Sequence, residues 1–139
     1  MTDTTTRVAI VTGASGGIGR ATAEKLAADG MAVAVHYSGN IQRAQETADA
    51  IVAAGGRAIA VHADVADEGE VAALFDTVEE EFGGIDVVVH AAGIMILSTV
   101  AELNFDDFDR MHRTNVRGTF VVDQQAARRV RRGGAIINF

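Results

Sequence analysis

A short apolar run, Val8-Ala9-Ile10-Val11, breaks at Thr12-Gly13-Ala14-Ser15-Gly16-Gly17-Ile18-Gly19, and a helical pattern through Ala21, Leu26 and Ala27 begins at once. Strand, glycine turn and helix N-terminus in such close succession leave few folds open. Glycines at this junction let backbone come close to a bulky anion and permit positive φ. The helix then presents free N–H groups and the positive end of its dipole, which suits a diphosphate. A glycine-rich turn that holds no ligand would look the same locally. The spacing does exclude a Walker A loop, which ends in Gly-Lys-Ser/Thr, because the first lysine here is Lys25. Nor is the string a plain Gly-x-Gly-x-x-Gly; it reads Thr12-Gly13-x-x-x-Gly17-x-Gly19.

The same alternation repeats down the chain. Residues 32–36 form a second strand, nearly continuous in apolar side chains, as suits a parallel strand covered on both faces. The crossover between the first two strands is then right-handed. Residues 41–54 read as a helix closed by Gly55-Gly56, with Ala44, Ala48, Ile51 and Val52 as its buried stripe. Residues 58–63 are strand three. Residues 67–82 place Val71, Leu74, Phe75, Val78 and Phe82 on one helical face and Glu68, Glu70, Glu79 and Glu80 off it. Glu79-Glu80-Glu81 stand at the wrong end for the helix dipole and read as solvated. Residues 85–90 are strand four. After a loop over 94–104, Asn104 caps a helix expected to run unbroken from Phe105 to about Arg131. Gly118 at its middle costs roughly 1 kcal/mol relative to alanine, which points to close packing there. Residues 135–139 are strand five. Repeated βα units predict an α/β fold: a doubly wound parallel sheet, strand order 3-2-1-4-5, in three αβα layers.

Composition narrows the function. Apolar residues make up 48% of the 139, enough for a real core and too many for a disordered chain. One domain over residues 1–139 is expected. The absence of cysteine excludes a disulfide framework, a thiolate metal site and a cysteine nucleophile; no metal site is read here. No apolar run is long enough to span a membrane. The polar start, residues 1–7, lacks the apolar centre of a signal peptide, so a cytoplasmic location is the default. A formal charge of −7 argues against a general nucleic-acid binder. Arg128, Arg129, Arg131 and Arg132 form a local basic patch, for which a helix C-terminus is a better account than phosphate or nucleic acid.

The end of strand two bears on which dinucleotide would fit. An NAD site usually carries a carboxylate about 20 residues beyond the glycines, for the ribose hydroxyls. Here the stretch is His36-Tyr37-Ser38-Gly39-Asn40, without an acid. A carboxylate would repel a 2′-phosphate; hydroxyls, an amide and backbone N–H groups would not. Arg43, one helical turn on, is either a contact for such a phosphate or a solvated surface residue. Asp64-Val65 follow strand three. An acid at that edge either accepts a bond from an adenine amine or is an ordinary turn aspartate, and Val65 would give the ring an apolar wall. Ala91-Ala92-Gly93 follow strand four, beside the switch point where the crevice of a doubly wound sheet opens.

The string Thr12-Gly13-x-x-x-Gly17-x-Gly19 resembles the glycine motif of the short-chain dehydrogenase/reductase family, and the resemblance runs from Thr6 to Phe139. His36-Tyr37-Ser38 resembles the version found in NADP-preferring members, many of which carry a basic residue in the glycine loop where this chain has Gly16. Asp64 matches the family's Asp-Val pair. The segment from His90 resembles the family's Asn-Asn-Ala-Gly, with His90 and Ala91 in the two asparagine places. Loss of the second amide removes a backbone tether, and His90 reads as structural. Asn115-Val116-x-Gly118 resembles the pattern in which a helix asparagine helps hold a water in a proton relay with the catalytic lysine. On its own residues Asn115 reads as a solvated helix asparagine.

The resemblance implies a Rossmann-type fold with cofactor contacts at Gly13, Ser15, Gly16, Gly17, Ile18, Gly19, His36, Tyr37, Ser38, Asp64, Val65, Ala91, Ala92 and Gly93. It implies NADP(H) in preference to NAD(H), and hydride transfer between the nicotinamide and a small-molecule ketone or secondary alcohol, a 3-oxoacyl thioester being one subclass. A homo-oligomer is expected, through the uncovered edge of strand five and the Phe108/Phe120 face, with neither nucleic acid nor membrane as partner. The resemblance covers a little over half of the family's fold. Strand five resembles the strand that leads to the catalytic serine, and the Tyr-x-x-x-Lys pair lies further on. The only tyrosine here is Tyr37 and the only lysine Lys25, not spaced as such a pair. Two readings stay open. One is an oxidoreductase of which these residues are the cofactor-binding part. The other is a non-catalytic nucleotide-binding or association module, the behaviour expected of the 139 residues alone.

Overall fold

Every residue of β1 (Val8–Thr12) is buried. The structure, a computed structural model, describes residues 6–139; residues 1–5, most of the polar start discussed above, lie outside the described residues. β1 lies between β2 (Ala32–Tyr37) and β4 (Ile85–His90) and runs parallel to both. β3 (Arg57–His62) extends the sheet beyond β2, and β5 (Val130–Asn138) beyond β4, so the order is β3-β2-β1-β4-β5, as the sequence predicts. An apolar strand with a neighbour on each edge needs cover on both faces. Ala9 and Val11 pack with Ala23 of α1 (Gly17–Ala28) and with Ala44, Ala48 and Ile51 of α2 (Ile41–Ala53). Val8 and Ile10 point the other way, into Leu74 and Phe75 of α3 (Glu68–Phe82) and Val122 of α5 (Gly118–Arg129). The period of two along one strand thus divides the core into two layers. No helix among the described residues is long and apolar enough to cross a membrane.

Helix starts follow their caps. Asn40 accepts the Arg43 N–H, Asp67 the Glu70 N–H, and Asn104, as expected, the Asp106 N–H. The helix expected to run unbroken from Phe105 does not. It is α4 (Phe105–His112), a π turn (Arg113–Arg117), then α5. The wider turn redirects side chains, and three of them reach distant segments. Arg113 reaches Asp64, Asn115 reaches Ile94, and Arg117 reaches the Ala66 carbonyl and Glu68.

β5 starts at Val130, earlier than the expected 135. Its pairing shifts register between Ile85 and Val87, and Gly133 turns within it at φ +87. The buried stripe of α2 also differs: Val52 is 55% exposed and Thr47 is buried in its stead. Thr47 lies one turn before Ile51 on the inner face, whereas Val52 is a step of about 100° round the helix. Glu79, read above as solvated, instead accepts from Arg129, which also binds Asp76, so α5 is tied to α3. Arg131 lies on β5 and grips Asp86 with two bonds, 2.9 and 2.7 Å long. Ion pairing, more than a helix dipole, therefore accounts for half of the basic patch.

Gly118 is packed as expected. A Cβ there would lie 2.7 Å from Cγ2 of Val65. Gly118→Val should shift the urea midpoint down by the equivalent of about 1–3 kcal/mol with the m-value kept. An unchanged midpoint would show that the contact is not tight.

Candidate functional site

β1 to β4 run parallel, so their C-terminal ends lie along one edge of the sheet. Gly13 turns the chain away from β1 at φ +64, and a Cβ on it would come within 2.8 Å of the Ala92 Cα, so the position demands glycine twice over. Gly19 closes the far side of the turn, since a Cβ there would strike the Gly13 carbonyl oxygen. α1 begins without a side-chain cap and without an acid in its first turn. The Arg20 N–H reaches back to the Gly16 carbonyl. The N–H groups of residues 17–19 precede it and stay available to an anion, at the positive end of the helix.

His36 holds this turn from the β2 side. It is 1% exposed, and backbone takes both of its ring nitrogens. The Gly13 N–H donates to Nδ1 at 3.0 Å, and Nε2 lies 2.7 Å from the Ala63 carbonyl. A carbonyl only accepts, so Nε2 carries the proton and the ring is neutral. Burial pushes the pKa down to about 4, against the bond to Ala63, which favours the charged ring. The Ala14 N–H donates to the His36 carbonyl, and the buried Thr47 hydroxyl donates to the Ala14 carbonyl. His36 therefore lines the site while spending its polar atoms on joining β2, β3 and the glycine turn.

On the β4 side Thr12 is the clamp. Its Oγ1 accepts the Ala91 and Ala92 N–H groups at 3.0 and 3.1 Å and lies 2.8 Å from His90 Nδ1. A tether on this segment thus exists without the second asparagine. Asn115 is not free in solvent: Oδ1 accepts the Ile94 N–H at 2.8 Å, and Nδ2 donates to the Ile94 carbonyl at 2.7 Å. This clasp fixes the chain just beyond Gly93, where a Cβ would crowd Asn115 Oδ1 at 3.2 Å.

These elements enclose a cleft of about 490 Å³. Gly13, Ser15, Gly16, Gly17, Ile18 and Gly19 line one side. His36, Ser38, Asp64, Val65, Ala91, Ala92 and Gly93 line the rest, together with Arg43, Ile94 and Thr114. Two of the expected residues lie elsewhere. The Tyr37 ring packs edge-on against His62, 5.4 Å between centroids, and does not line the cleft. Asn115 borders an adjoining cleft of about 420 Å³ that shares Ala91 to Ile94 and adds Met95, Thr119 and Phe139.

Sequence reasoning left Arg43 undecided and missed Ile94 and Thr114. Only the neighbouring Asn115 pattern could have pointed to Thr114. It also passed over Thr12, although Thr12 heads the glycine string. Burial raises the Asp64 carboxyl, but the Ala66 N–H and the Arg113 guanidinium outweigh that and hold its pKa below the ordinary carboxylate value. Asp64 is thus a turn aspartate and an ionised acceptor on the cleft at once. The arrangement can take a diphosphate at α1, a cationic contact at Arg43 and a ring against Val65.

Residues 7–139 match the family described as short chain dehydrogenase. A short-chain type dehydrogenase/reductase from Picea abies is 44% identical over 95% of this chain and 52% of its own length. Versicolorin reductase stcU from Emericella nidulans is 42% identical over 94% of this chain and 50% of its own. Among solved structures, a short chain dehydrogenase from Burkholderia cenocepacia in complex with NADP is 45% identical. It covers 95% of this chain and 54% of that one, with a TM-score of 0.90. The chain spans about half the length of the relatives it matches.

The histidine clamp has a pH signature. A free histidine titrates near 6.5 and the His36 ring near 4, so between these values the unfolded chain binds more protons. The stability that His36 confers is complete above pH 6.5 and is lost as pH falls toward 4, by roughly 3 kcal/mol. Urea unfolding from pH 7 to 4.5 should show the decline. His36→Gln should be less stable at pH 7 and decline less. An equally steep decline in the variant would assign the loss to other groups.

Proposed function

The chain belongs to the short-chain dehydrogenase/reductase family, and on that premise we propose that the full-length protein is an NADP(H)-dependent oxidoreductase acting between a ketone and a secondary alcohol. The observation that carries the cofactor choice is the acid-free stretch 36–40 beside a cleft that Ser38 and Arg43 line. A carboxylate there would repel a 2′-phosphate; a hydroxyl and a guanidinium attract it. The NADP complex of the Burkholderia cenocepacia relative supports the same choice.

The bound cofactor supplies or accepts the hydride. The protein's own residues bind and orient it. The N–H groups at the start of α1, with Ser15 and Gly16, take the diphosphate. Gly13 and Gly19 let the backbone approach, and Ile18 covers it. Tyr37 backs the strand end that carries Ser38. Asp64 accepts from the adenine amine, Val65 flanks the ring, and Ala91-Ala92-Gly93 give room to the nicotinamide half. Asn115 holds the loop beyond Gly93 and supports the water of a proton relay completed by residues outside this chain. The adjoining cleft with Ile94, Met95 and Phe139 would take the apolar part of a carbonyl substrate. A homo-oligomer goes with this reading, since Phe105, Phe120 and Phe139 are each more than 70% exposed and their burial is favourable. So does the cytoplasm, where such a cofactor is supplied.

Titrating NADPH and NADH into the full-length protein should give tighter NADPH binding. Arg43→Ala should weaken NADPH about tenfold with little effect on NADH, and Tyr37→Asp should shift preference toward NADH. Tighter NADH binding in the wild type would sink the cofactor choice. NADPH should be consumed, with alcohol formed, by members of a broad carbonyl panel. Binding without turnover would favour the non-catalytic module instead.

A further inference from the structure

The Thr12 hydroxyl has two lone pairs and one hydrogen. Both lone pairs are taken by the Ala91 and Ala92 N–H groups. The hydrogen is left for His90 Nδ1, 2.8 Å away. Nδ1 must then be bare, and the proton of the neutral ring sits on Nε2. Nothing on the Nε2 side competes for the tautomer, because Nε2 has no hydrogen-bond partner among the described residues. The ring is 1% exposed, so it is fixed by this one contact and by packing between strands.

We propose that His90 is a positioning residue: by accepting the Thr12 hydrogen at Nδ1 it turns both Thr12 lone pairs onto the Ala91 and Ala92 amides and so fixes the Ala91–Gly93 wall of the cleft. A protonated ring would aim an N–H at an oxygen with no lone pair to spare, and one amide bond would have to break. The clamp therefore works only with the uncharged ring. Burial disfavours the charge, and Asp123 on α5 favours it. A charge on His90 disfavours protonation of His36, on β2 across β1. β1 and β5 face His90 at its register position with the uncharged Thr12 and Asn138. The geometry stands without a ligand; its effect on cofactor affinity rests on the dinucleotide reading above.

Nitrogen shifts of the His90 ring in the full-length protein should show a proton on Nε2 and none on Nδ1 at pH 7. His90→Leu, which removes the acceptor, should speed hydrogen exchange at Ala91 and Ala92 and weaken NADPH binding about tenfold. His90→Asn puts an uncharged side-chain oxygen or nitrogen where Nδ1 was. It should rescue both effects to within about threefold of the wild type. It should also remove part of the affinity loss expected of the wild type on acidification, when the His90 ring charges. A proton on Nδ1 overturns the proposal, and so do unchanged amide exchange in His90→Leu and an identical pH profile in His90→Asn. Should His90→Leu not fold, the ring tautomer and the His90→Asn profile decide. If the wild type binds no dinucleotide, the functional reading fails, and the tautomer and the exchange rates still test His90.

Discussion

The fold depends on satisfying backbone polar groups at the one place where parallel strands all stop. A buried amide without a partner costs about 1–3 kcal/mol, and the C-terminal ends of β1 to β4 concentrate such groups. The chain meets them with three buried side chains. His36 serves Gly13 and Ala63, Thr12 serves Ala91 and Ala92, and Thr47 serves the Ala14 carbonyl. Each bond that satisfies the sheet edge also sets a wall of the cleft. Local stability and ligand geometry here come from the same hydrogen bonds.

Charge is kept at the margins of this arrangement. Both histidines beside the end of β1 are neutral by the geometry of their partners, and burial depresses both. The charged groups stand further out. Asp64 pairs with Arg113, Arg117 with Glu68, and Arg43 lies on the lining. The net charge of −7 is thus not expressed where an anion would sit. The uncapped start of α1 presents N–H groups there instead.

What was legible in the sequence was whatever local geometry or a general rule of connection decides. The glycine string announced the turn because positive φ and close approach are local demands, and Gly13 meets both. The parallel strands were legible as continuous apolar runs, and their order as the doubly wound pattern of repeated βα units. Gly118 announced tight packing because a glycine inside a helix costs about 1 kcal/mol relative to alanine. Direction was not legible. His36 was expected among the cofactor contacts, and the backbone of Gly13 and Ala63 takes both of its ring nitrogens. Asn115 was read from its own residues as a solvated helix asparagine, and its exposed amide also clasps Ile94. Nor was the π turn legible, whose side chains reach Asp64, Ile94 and Ala66, all far away in sequence. Glu79 found a partner in Arg129 only once α5 lay against α3.

The two ends of β1 are bonded to residues that come much later in the chain. The Val8 N–H donates to Asp86, and Thr12 meets His90, each pair 78 positions apart. During synthesis β1 can join β2 early, but its other edge stays open until β4 has emerged. An open apolar edge is a template for wrong pairing, and here it lasts from the emergence of Val35 to that of Val87. The cleft comes into being at the moment that edge closes, because Ala91 and Ala92 arrive with β4. A ligand of the cleft therefore cannot protect the chain while it is being made; it can only slow the reopening of one already folded.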